Sequence, residues 1–154
     1  MRLRRRPSLL LIAALVVVFL VVSALLARVY SSVTAERSGV TALVAAEARG
    51  DEAEMIRDLY RCGASAACRA RVAQDATALR QPGAVSVLDL SVSSSFPVVG
   101  ETGVARVAWE VPGQLPVTQC VRVRHTGNPI TGMKVELLEI STRIKTSSDC
   151  PKEF

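Results

Sequence analysis

Residues 81–96 read QPGAVSVLDLSVSSSF, and the period of the chain changes within them. Upstream of Gln81-Pro82-Gly83, apolar residues recur every three or four positions; downstream they alternate with polar ones. Proline removes a backbone donor and glycine frees φ, so this triplet ends a helix. In the strand that follows, Val85 and Val87 share one parity and Leu88, Leu90 and Val92 the other. Side chains change face with every residue of a strand, so the slip between 87 and 88 predicts a β-bulge.

Working outward toward the C-terminal side, Gly100-Glu101-Thr102-Gly103 reads as a turn. Residues 104–111 read as a second strand with Val107, Trp109 and Val111 on one face. Pro112-Gly113-Gln114-Leu115-Pro116 closes a hairpin. A third strand over 117–125 turns Val117, Val121 and Val123 inward, and Cys120, Arg122 and Arg124 outward. Thr126–Gly132 is a turn around Gly127-Asn128-Pro129. In a long last strand over 133–145, Val135 and Leu137 take one face, then Leu138, Ile140 and Ile144 the other. That is a second slip, expected of a bent strand.

Working the other way, Ser65 is a candidate N-cap for a helix over 66–80, with Val72, Ala76 and Leu79 on one stripe. Asp51 followed by Glu54 has the spacing of a capping box, and opens a helix over 52–61 with Met55, Ile56, Leu59 and Tyr60 on one face. Over 29–49, Val40, Leu43, Val44 and Glu47 have helical spacing and Gly50 is a C-cap candidate. The Ser/Thr-rich part, Ser31–Ser38, reads equally as a stalk. Helices followed by strands mean an α+β fold: two or three helices packed on a four-stranded antiparallel, bulged sheet. The helices are expected to bury Trp109, the valines and Leu137, and to leave the arginine and glutamate face wet.

Residues 9–27 read LLLIAALVVVFLVVSALLA, with Ser23 the one polar residue. At ~1.5 Å per residue, 8–27 spans ~30 Å, the thickness of a bilayer core. Arg2, Arg4, Arg5 and Arg6 precede it, which puts the N-terminus in the cytoplasm. Arg28 snorkels at the far interface beside Tyr30. A cleaved export signal, with Val22-Ser23-Ala24 as the small-residue site, is the competing reading; it too sends the rest outside. The expected organisation is a cytoplasmic tail over 1–7, a membrane helix over 8–28, a juxtamembrane helix or stalk over 29–49, and an extracytoplasmic domain over 50–154. The bilayer is thus the first partner, through 8–28.

Cys62, Cys68, Cys120 and Cys150 all follow the apolar segment, and their number is even. Outside the cytoplasm this reads as two disulfides. Three connectivities exist; Cys62–Cys68 with Cys120–Cys150 keeps each bridge local. The spacings are not those of a zinc or Cys-x-x-Cys redox site, and no cofactor is implied.

The net charge of +5 misleads. From Arg28 onward there are fifteen basic against fourteen acidic residues, so the outer domain is nearly neutral. A nucleic-acid binder carries its basic excess on the folded domain, which argues against nucleic acid here. At 49% hydrophobic residues the chain is not disordered, and 154 residues leave room for one domain after the apolar segment.

Chemistry is sparse. Asp89 falls in the first strand, where the slip could aim its carboxylate inward as a general base; plain alternation puts it on the wet face. His125 stands beside a predicted turn and reads as solvated. Ser93-Ser94-Ser95 has no base motif next to it. Arg106, Arg122 and Arg124 could form an anion patch, or a charge ladder with Glu110 and Glu136.

Helices first and then long bulged strands, all behind one anchor, resemble the cone-shaped domains of the nuclear-transport-factor-like superfamily. The likeness covers about residues 35–145 and rests on architecture. Its membrane-anchored members include mammalian-cell-entry-associated proteins and an inner-membrane component of type IV secretion systems; SnoaL-like cyclases and ketosteroid isomerase are soluble. The enzymes among them place an acid or a His–Asp pair in the cone, which this chain does not repeat. Leu59-Tyr60-Arg61-Cys62, Trp109, Gln119-Cys120-Val121 and Asp149-Cys150-Pro151 also resemble exported proteins of high-G+C bacteria.

Two functional expectations follow. One is a membrane-anchored, extracytoplasmic, non-enzymatic interaction or scaffold module of a bacterial envelope, docking on an envelope protein or a second copy. The other is a tethered small-molecule-binding or SnoaL-like catalytic cone, with Asp89, Trp109 and Tyr60 lining its pocket and the carboxylate turned inward.

Overall fold

The structure is a computed structural model that describes residues 7–92, 100–128, 132–145, 149–152 and 154. Three helices precede a four-stranded antiparallel sheet, an α+β arrangement. Helix α1 runs unbroken over Pro7–Arg49, 43 residues. Every large apolar residue from Leu10 to Leu26 is exposed, Leu10 at 64% and Phe19 at 69%. From Ser32 onward the same helix is a core element. Ser32, Glu36, Val40, Leu43, Val44 and Glu47 are buried, at the spacing of one helical stripe. The Ser/Thr-rich stretch is helix, not stalk: the Ser31 hydroxyl donates to the Arg28 carbonyl at 2.8 Å and Thr34 to Tyr30 at 2.9 Å. Such back-bonding lets hydroxyl residues stay within a helix. Gly50, at φ 71°, ends it as expected.

Asp51 caps α2, Glu52–Asp58, by accepting from the Glu54 amide at 3.0 Å. This helix stops short of the expected residue 61, because Leu59 leaves for the sheet. Leu59 pairs in parallel with Leu137, and the Tyr60 amide donates to the Leu137 carbonyl at 2.7 Å. Arg61 then takes a left-handed conformation, φ 57°, at the head of a 3₁₀ turn, Cys62–Ala64. Ser65 caps α3, Ala66–Ala78, as its sequence predicts, by accepting from the Cys68 amide at 3.2 Å. The disulfide Cys62–Cys68 staples the turn to α3.

The sheet is a meander, β1 (Ser86–Ser91), β2 (Thr102–Glu110), β3 (Val117–Asn128) and β4 (Gly132–Ile140), in that spatial order. Both slips appear. The β1–β2 register skips between Val87 and Asp89, and Leu88 is the extra residue. The β3–β4 register passes from Val123↔Leu137 to Arg122↔Glu139, and Leu138 is the extra residue. The last strand ends at Ile140, earlier than expected. Ser141 turns its hydroxyl to accept from the Cys120 amide at 2.9 Å and donates its own amide to the Cys120 carbonyl at 2.8 Å, and Ile144 rejoins the sheet opposite Thr118.

The inner face carries Trp109, Val121, Val123, Leu137 and Ile140 into one core with α1, α2 and α3. On the outer face Arg124 pairs with Glu136 at 2.6 Å and Arg122 with Glu139 at 3.4 Å, two rungs of a charge ladder. The second disulfide, Cys120–Cys150, ties the tail across that face.

Candidate functional site

A concave site lies along the free edge of β4. Beyond the Leu59–Leu137 pairing, a groove of about 420 Å³ opens between α3 and the strand. Leu138, Ala67 and the Cys62–Cys68 bridge give it an apolar surface, backed from beneath by the buried Leu59, Val72 and Ile140. The Leu138 bulge helps shape it, since the extra residue pushes a leucine to the edge of the sheet. Among the described residues, Arg61, Arg71 and Arg122 stand around the rim with Glu139 as the one acidic side chain of the lining. Tyr60 and Phe154 supply an aromatic ring each. The Tyr60 ring lies 5.5 Å from the Arg61 guanidinium and 4.8 Å from that of Arg124. Phe154 stacks at 4.9 Å on Arg122, whose Nη2 donates to the Lys152 carbonyl at 3.1 Å. The tail is therefore one wall of the groove.

A left-handed backbone at a non-glycine residue costs on the order of 1 kcal/mol and concentrates at functional positions. Arg61 is the one described non-glycine residue with positive φ, and it stands on this rim.

A second constellation is buried. Trp109 Nε1 donates to Gln119 Oε1 at 3.0 Å. Gln119 Nε2 donates to Glu47 Oε1 at 2.8 Å and to the Ser141 carbonyl at 3.1 Å. Burial pushes the Glu47 carboxyl up to about 8, eased by the Gln119 hydrogen bond and reinforced by the charge of Asp75. Burial likewise raises Asp75 to about 6, against the pull of Arg71. Glu47 is thus mostly neutral at pH 7. Nearer the apolar end of α1, His125 Nε2 lies 3.2 Å from Glu36 Oε2, with both side chains buried. These groups lie where no substrate reaches, with at most 2% exposure at Glu36, Glu47, Gln119 and His125. They hold α1 to the sheet.

The sequence candidates are dispersed. Asp89 is exposed on β1: the bulge turns Leu88 and Asp89 outward in succession, and Val87 and Leu90 pack on the core. Asp89, Trp109 and Tyr60 do not meet, because Trp109 is fully buried and Tyr60 is 41% exposed beside the β4 edge. His125 is not a solvated turn residue. β3 continues to Asn128 and places His125 on the inner face. Ser93, Ser94 and Ser95, and the anchor arginines Arg4, Arg5 and Arg6, lie outside the described residues. Arg28 is exposed on α1. Among the described residues, no three His, Cys, Asp or Glu side chains are grouped to hold a metal ion.

The missed residues carried a signal. Gln119 and His125 share the parity of Val117, Val121 and Val123, and Glu36 and Glu47 lie on the apolar stripe of α1. A polar residue in phase with a buried face predicts a buried polar partner. The left-handed Arg61 had no such signal.

No protein-family model, curated protein or solved structure matches the chain.

Proposed function

We propose that the chain is a membrane-tethered interaction module of a bacterial cell envelope, with its folded domain outside the cytoplasm and no catalysis of its own. The observation that carries this reading is α1: one helix is both the exposed apolar segment and a wall of the domain core. Exposed leucines and valines over that length call for lipid. The arginines before residue 7 support a cytoplasmic N-terminus. Both disulfides support an oxidising compartment for the rest. The helix continues into the core without a break, which favours a retained anchor over a cleaved signal. An acid of a catalytic cone should face inward, and the exposed Asp89 favours binding without chemistry.

The test is crosslinking of the tagged, full-length protein in its own membranes, followed by mass spectrometry. A stoichiometric envelope partner is expected, with the domain open to protease from the outer side. A protein recovered alone, or one released by alkaline washing, overturns the reading.

A further inference from the structure

The groove at the β4 edge has a shape and a charge that select what fills it. β4 is the last strand of the sheet. An open sheet edge is a template for another extended chain unless something covers it. Here the cover is short: Leu59 and Tyr60 pair at Leu137, and the groove then follows the strand over Leu138, Glu139 and Ile140. The floor is apolar and the rim is basic. Among the described residues, Arg61 and Arg71 make no ion pair, although the charge of Arg71 acts on the buried Asp75. Arg122 has Glu139 as its counter-ion. The rim therefore keeps an excess of positive charge, and the strained backbone of Arg61 holds one guanidinium beside Tyr60.

We infer that this groove receives an extended, acidic segment of a partner protein, laid along the β4 edge. Its apolar side chains sit on Leu138, Ala67 and the Cys68 end of the disulfide, and its carboxylate meets Arg61 and Arg71. Strand addition gives such a segment its main-chain hydrogen bonds, and the pockets for alternate side chains give specificity. This inference deepens the docking role proposed above and rests on it for the existence of a protein partner.

The experiment uses full-length protein in lipid nanodiscs and a displayed library of random heptapeptides, with decanoate as a small apolar anion for comparison. Selection should enrich peptides that alternate apolar and acidic residues. Hydrogen bonds to a charged guanidinium are stronger than those between neutral groups. Arg61→Glu should therefore weaken a selected peptide by roughly tenfold or more. Leu138→Asp should weaken it too, while Lys134→Glu, on β4 outside the groove, should not. Unchanged melting of Arg61→Glu, which alters an exposed residue, separates lost binding from lost fold. No enrichment, enrichment without acids, or equal binding by Arg61→Glu overturns the inference. Decanoate binding with the same dependence on Arg61, while no peptide enriches, also overturns it in favour of a small amphiphile. Peptides bound here, with no partner crosslinked in native membranes, would sink the docking role and leave the groove's specificity standing.

Discussion

Glu47 shows how one buried side chain sets the conditions under which the domain is most stable. Its carboxyl sits beside Gln119 and near Asp75, and titrates at about 8 instead of 4.5. The native state therefore holds a proton that the unfolded chain releases above pH 4.5. Where the folded protein binds more protons, stability falls as pH rises. The contribution is fully present below about pH 4.5 and is lost progressively up to about pH 8. Each factor of ten in proton affinity is worth about 1.4 kcal/mol. Glu47→Gln keeps the acceptor for Gln119 and removes the ionisation. Urea melts should show little difference from the parent at pH 5 and a gain of a few kcal/mol at pH 8. Equal stability at both pH values would mean that Glu47 titrates normally. Asp75 adds a slope of the same sign between about 3.8 and 6. Glu36 and His125 are a different case: taking Glu36 away strands His125 Nε2 in the core, whereas replacing both by apolar residues costs less.

At the scale of elements, Gly83 joins the helical half to the sheet. Its φ is 134°, and a Cβ there would lie 2.6 Å from Val111 Cγ1. Nearby, the Gln81 amide donates to the Ala48 carbonyl at 2.9 Å, which fastens the end of α3 to the end of α1. Gly83→Ala must shift β2 or distort the turn, and a loss of about 1–3 kcal/mol is expected in thermal or urea unfolding. A neutral result would show that Val111 can move aside. The elements themselves were legible to different degrees. Both bulges could be read from paired apolar neighbours, Val87-Leu88 and Leu137-Leu138, because alternation leaves no other account of them. The caps Asp51, Ser65 and Gly50 were legible because each satisfies a specific backbone group. The end of α2 was not, since Leu59 continues the helical stripe and only the hydrogen bond from the next residue, the Tyr60 amide to the Leu137 carbonyl, draws the chain out. The β4 groove was likewise hidden, because its walls come from residues 59–72, 122, 138–140 and 154, which no local pattern brings together.

At the scale of the whole molecule, α1 packs on β4 and its side chains reach past that strand to β3. Glu47 reaches Gln119 and Glu36 reaches His125. Eleven helical residues cover ~17 Å and six strand residues ~20 Å, so the two run side by side. The hairpin that carries Leu115, 73% exposed, therefore stands at the end farthest from the apolar segment. A continuous helix also fixes the rotation of the domain about its apolar segment. One alanine inserted between Val29 and Tyr30 turns everything beyond it by ~100° and lifts it by ~1.5 Å. If the domain docks in a fixed orientation, melting should be unchanged and partner crosslinking in native membranes should fall sharply. Full crosslinking after the insertion would mean that the tether is only a leash.

The Cys120–Cys150 bridge has a topological consequence. It closes a covalent ring, with a sequence separation of 30, that contains most of β3 and all of β4. Edge strands are the parts of a sheet most readily exchanged between identical chains. With the ring closed, β4 cannot be traded to another copy, because its far end stays fastened to its own neighbouring strand. The groove edge can then remain open to a foreign segment while domain swapping through β4 waits on reduction of a single bond.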